Sequence, residues 1–126
     1  MAKRGRMYDP WEHAEQLGIR VMTRVLRTAS GLWVPDARTI ILNPRMRRVR
    51  ERSVLAHELG HAHYEHRDDR PKHELQADRF AAERLIDPGE LKEVAATSPD
   101  ANVWCHELGV NDRILKRYIS DHWAAA

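Results

Sequence analysis

Two different periodicities divide this chain. Between Arg20 and Pro44 the apolar residues come in short runs, RVMTRVL, LWV and TIIL, set apart by TASG and by Pro35-Asp36. Short runs bounded by turn residues predict about three strands, the first over 20–26, with a tight turn at Pro35-Asp36 and a stop at Asn43-Pro44. Ahead of them, DPWEHAEQLGI has Asp9 as an N-cap, Pro10 as a first helical residue, and Trp11, Ala14 and Leu17 at helical spacing before Gly18. Beyond Pro44 the spacing is helical. One long helix is predicted from about Met46 to about His66, and Asp68, Asp69 and Pro71 form a loop before the next. In KHELQADRFAAERLI, the residues Leu75, Phe80, Ala81 and Leu85 recur on one helical face. Asp87 and Pro88 start a further helix, and two short ones follow, broken near Gly109. Strands first and helices afterwards make the fold class α+β, with residues 1–126 read as one domain.

Composition narrows this only a little. A chain of 126 residues with 42% hydrophobic and 32% charged residues can bury a modest core. No apolar run approaches the roughly 20 residues of a membrane span. The N-terminal MAKRGRMYDP is basic but lacks the apolar stretch of a signal peptide. Cys105 is the only cysteine, which rules out an internal disulfide and agrees with a cytoplasmic protein. A net charge of +2 does not argue for broad nucleic-acid binding. The charge is uneven, though. RMRRVRER at 45–52 holds five arginines, read as a solvated helix face that leads into the segment discussed next and so borders any cleft there.

That segment is HELGHAHYEH, residues 57–66, with four of the eight histidines. Its first five residues have the form H-E-x-x-H. On a helix His57 and His61 share one face, and both imidazoles can reach one zinc at about 2.0–2.1 Å. Glu58 lies about 100° round the helix, where its carboxylate can take a proton from water at the metal instead of binding the metal. The extended form with glycine and a third histidine is excluded, because Tyr64 and Arg67 occupy those places. A hairpin closed over 67–71 brings Glu74 back beside His61 as the third ligand. Asp78, one turn on, is placed to accept a hydrogen bond from a ligand imidazole. His73 points about 100° away from Glu74 and ranks below it. His63 and His66, both taken to lie on the motif helix, are assigned to the surface or to support of the ligands. Tyr118, His106 and His122 are candidates for donating to an oxyanion, with nothing to choose among them.

VLAHELGHAHYEH followed by ELQADRFAAERLIDP resembles the ImmA/IrrE family of bacterial and phage metallopeptidases. Glu74, Ala77, Asp78, Phe80, Ala81, Ala82, Leu85, Ile86 and Pro88 fall in the family's order, and RTIILNP fits its layout. The resemblance implies a minimal zincin-like fold: an N-terminal helix, a small sheet, the motif helix and C-terminal helices. It implies Zn2+ held by His57, His61 and Glu74, with Glu58 as general base. It further implies cleavage of a DNA-bound repressor, often one encoded on a mobile element. WCHELGVNDRILKRYI also looks like a helix-turn-helix, turning at Leu108-Gly109-Val110 with Arg113, Lys116 and Arg117 on its second helix. The expectation is therefore a cytosolic zinc endopeptidase acting on a protein substrate, a DNA-binding repressor above all. Its rival is a non-catalytic zinc-stabilised module that displaces a repressor. A DNA-binding regulator is the weakest reading.

Overall fold

The structure is a computed structural model that describes residues 7–123; the basic MAKRGR stretch lies outside them. Helix α1 is Pro10–Gln16, capped by the Asp9 carboxylate, which accepts from the Trp11 and Glu12 amides. Three strands follow, β1 (Arg20–Thr23), β2 (Gly31–Val34) and β3 (Thr39–Leu42). The remainder is helical: α2 (Arg48–His63), α3 (Pro71–Leu85), α4 (Pro88–Thr97), α5 (Ala101–Leu108) and α6 (Asp112–His122). This is an α+β fold with a small mixed sheet.

The sheet runs in the order β1-β3-β2. β3 pairs in parallel with β1, Val21 opposite Ile40, and antiparallel with β2, Trp33 opposite Ile40. Ile40 and Leu42 are buried, as the centre of such a sheet requires. β2 is left as an edge. The first strand stops at Thr23, short of the expected Leu26, and Val25 is 74% exposed. The 24–30 segment is held instead by Asn43. Its Oδ1 accepts from the Leu26 amide, and its Nδ2 donates to the Leu26 and Ala29 carbonyls.

Helices α2 and α3 form a hairpin with apolar side chains on both flanks. Leu55 and Leu59 of α2 and Phe80 of α3 pack with Ala14, Ile19, Ile40 and Leu42 against the sheet and α1. Ala56, Ala81, Ala82 and Leu85 pack on the other side with Leu91, Leu108, Ile114 and Leu115 of the C-terminal helices. Two expected core positions fall elsewhere. Leu17 is 41% exposed where α1 has already ended, and Leu75 is 36% exposed near the start of α3.

Gly60 lies where the backbones of the two hairpin helices come close together. A Cβ there would sit 2.8 Å from the Ala77 Cα and 3.0 Å from its carbonyl oxygen. Glycine inside a helix costs about 1 kcal/mol relative to alanine. Here the loss is offset by backbone-to-backbone packing, which carries α3 to within reach of the α2 histidines. Gly31 does the same between β2 and α2. A Cβ there would lie 2.6 Å from Val54 Cγ1 and 3.1 Å from Glu58 Cγ.

Candidate metal centre

The i, i+4 spacing on α2 brings the two Nε2 atoms of His57 and His61 to 3.1 Å. From α3, Glu74 Oε2 lies 2.5 Å from the His61 Nε2 and 3.4 Å from the His57 Nε2. Three donor atoms of two imidazoles and a carboxylate thus face one another. His57, Glu58 and His61 also offer ligand atoms that all lie within 4.8 Å of one another, so this group can hold a metal ion. Proximity alone leaves two carboxylates in contention. Glu58 is buried, and the Trp33 backbone amide donates to it.

The protein atoms around the cluster set its protonation. Burial works against charge on His57, but hydrogen bonds to Asp78 and Glu74 outweigh it and raise its pKa to about 9. His61 moves down, through burial and then the neighbouring His57. Two adjacent rings do not both stay charged. Burial raises Glu58 to about 7, against the pull of His57. The hydrogen bond from His57 brings Glu74 down to about 2, despite its partial burial.

Each imidazole has a partner behind it. His57 Nδ1 meets Asp78 Oδ1 at 2.7 Å. The other Asp78 oxygen accepts from Arg113 Nε at 2.8 Å, and Arg113 Nη2 reaches Glu74 Oε1 at 3.5 Å. His61 Nδ1 meets His66 Nδ1 at 2.9 Å, and His66 Nε2 meets Gln76 Oε1 at 2.7 Å. The cluster opens on a cleft of two cavities, of about 610 and 390 Å³, both lined by Gly31, Glu58, Asp69 and Glu74.

Residues 14–118 match the family model of the IrrE N-terminal-like domain, a peptidase family. The chain belongs to this family of metallopeptidases. No curated protein matches it.

Of the histidines, His66 sits away from its expected place. His66 is not on the motif helix. α2 ends at His63, Glu65 takes a left-handed φ of 56°, and the His66 amide returns to the His61 carbonyl at 2.9 Å. This is a helix-ending turn of the kind usually built on glycine. It folds the buried His66 ring back beneath His61. His63 stays exposed and packs near Phe80, with ring centroids 5.0 Å apart. His73 stacks on His66 at 3.9 Å and bonds Asp68.

Of the three proposed oxyanion donors, His122 pairs with Glu83 and Tyr118 is buried in the C-terminal core. Neither they nor His106 line the two cavities. The helix-turn-helix candidate is a helix pair joined at Gly109, φ 68°. Its cations are engaged: Arg113 with the centre, Lys116 with Asp112, Arg117 with Asp121. The arginine run divides. Arg50 lines the larger cavity and bonds Ser30 Oγ, while Arg52 turns inward to the Gly109 and Tyr8 carbonyls. Arg113 and Gln76 were missed as parts of the centre. Asp78 and Arg113 are separated by 35 residues of sequence, and no local pattern joins them.

Proposed function

We propose that the chain is a zinc-dependent endopeptidase of the cytosol, cleaving a specific regulatory protein such as a phage or mobile-element repressor. The observation that carries this reading is the placement of two carboxylates, Glu74 facing both imidazoles and Glu58 buried beside them in the wall of the cleft. Glu74 has an oxygen within 3.4 Å of both Nε2 atoms, which are themselves 3.1 Å apart. A tetrahedral zinc site with bonds of about 2.0–2.1 Å has donors about 3.3 Å apart, and two nitrogens with one carboxylate oxygen suit that metal. Glu58 instead is buried beside Gly31, where the two cavities meet. With His57, His61 and Glu74 as ligands, Glu58 is free for proton transfer.

Zinc supplies Lewis acidity, which polarises a carbonyl and makes water nucleophilic near neutral pH. The rest belongs to the chain. A Glu58 pKa near 7 suits a group that accepts a proton from the attacking water and returns it to the leaving amine. Asp78 fixes the His57 ring. The outer edge of β2, beyond the Trp33 amide that Glu58 engages, offers backbone groups to an extended substrate, which then runs along both cavities past Glu58. The repressor as substrate rests on the resemblance to the ImmA/IrrE family.

The test is a repressor-controlled reporter read beside a gel for repressor fragments, with a phage-type repressor as the candidate substrate. Wild type should induce the reporter and yield fragments. Glu58→Gln keeps the shape but cannot accept the proton, and its cleavage should fall by about 10²–10⁴-fold. Equal induction by both proteins without fragments would replace proteolysis by displacement through binding.

A further inference from the structure

The two zinc-facing imidazoles are supported by chemically different partners, and one of them needs a polarity that its partner does not supply by charge. His57 is backed by a carboxylate, Asp78, which only accepts. It therefore holds one His57 proton on Nδ1 and makes Nε2 the nitrogen that a metal takes, displacing the second proton. His61 is backed by another imidazole, which can be donor or acceptor. Its partner is fixed from further out. His66 Nε2 faces Gln76 Oε1, an oxygen that only accepts, at 2.7 Å. The His66 proton then sits on Nε2, and its Nδ1 is the acceptor. That acceptor requires an N–H on His61 Nδ1, and the His61 Nε2 is left bare toward His57 and Glu74.

We propose that His66, oriented by Gln76, is the positioning residue that holds His61 in its metal-binding tautomer. The inference rests on the zinc reading given above. Burial and stacking suit His66 to this role. It is 6% exposed and lies flat against His73, with planes 12° apart. A ring so confined does not swing to bring its other nitrogen forward. His66 also opens the segment that carries Arg67, Asp68 and Asp69, which line the smaller cavity. Metal at the cluster should therefore steady that wall of the cleft through the His61–His66 bond.

Zinc affinity by competition with a chromogenic chelator tests this, with hydrogen exchange of residues 65–70 as a second readout. His66→Leu keeps a side chain of similar bulk but accepts nothing. It should weaken zinc binding by about 10–100-fold, as loss of a ligand's hydrogen-bond partner does. His66→Asn restores an acceptor near the Nδ1 position and should recover most of the affinity. In wild type, zinc should slow exchange in 65–70; in His66→Leu it should not. Zinc binding by His66→Leu within twofold of wild type overturns the assignment while leaving the zinc centre intact. Absence of zinc binding by wild type overturns both. If His66→Leu does not fold, Gln76→Leu decides. It should weaken binding several-fold, and unchanged affinity overturns the proposal.

Discussion

The two flanks of the centre solve the same problem with different physics. On the His57 flank the support is ionic and spans the fold: α2 supplies the imidazole, α3 Asp78, and α6 Arg113, whose guanidinium side chain is 59% exposed. On the His61 flank the support is local and comes from an imidazole and an amide, His66 and Gln76, both within fifteen residues of His61. An ionic support gains strength from charge and loses it to salt and competing protons. A support of imidazole and amide depends more on geometry. The centre thus combines a flank tuned by its electrostatic surroundings with a flank fixed by burial.

Protons should separate the flanks most. His57 is raised to about 9, so at neutral pH it carries a proton that a metal must displace, whereas His61 is lowered and carries none. The affinity for zinc should therefore rise with pH by about tenfold per unit between pH 6.5 and 8.5. Chelator competition across that range measures the slope. Asp78→Asn should flatten it, because the raised pKa depends on that carboxylate. A slope that Asp78→Asn leaves unchanged would place the proton elsewhere.

Asp78→Ala should lower zinc affinity by about 10–100-fold, and more so at low ionic strength. Gly60→Ala acts on both flanks at once, since the added methyl meets the Ala77 backbone at 2.8 Å. It should cost about 1–3 kcal/mol of stability, read by chemical denaturation, with the loss of zinc affinity insensitive to salt. Arg113→Ala should have the smallest effect. The Arg113 side chain is exposed and Asp78 stays bonded to His57 without it, so affinity should fall only a few-fold at low salt and hardly at all in molar salt. A large, salt-independent loss would make Arg113 more than an ionic support.

The His57 flank was half legible in the sequence. Asp78 follows Glu74 by one helical turn, so the periodicity that predicts α3 also places both carboxylates beside α2. Arg113 was visible only as a basic residue on a C-terminal helix, because its role depends on how α6 docks. The His61 flank was hidden for a different reason. HAHYEH contains no glycine or proline, so the helix was read through to His66, whereas Glu65 adopts the left-handed conformation and ends it. Gly60 is a costly residue in a helix, and its close approach to Ala77 supplies the reason. The strand ending at Thr23 was overextended because Val25 and Leu26 look like strand residues while Asn43, seventeen residues on, holds the backbone there.

Of the two carboxylates near the same pair of imidazoles, we propose that Glu74 binds the metal and Glu58 moves the proton. Zinc stoichiometry and affinity of wild type, Glu74→Ala and Glu58→Gln, measured side by side on folded protein, test it directly. Wild type and Glu58→Gln should each hold one zinc per chain with similar affinity, and Glu74→Ala should bind far more weakly. Loss of zinc from Glu58→Gln, with Glu74→Ala retaining it, would reverse the two roles and contradict the account.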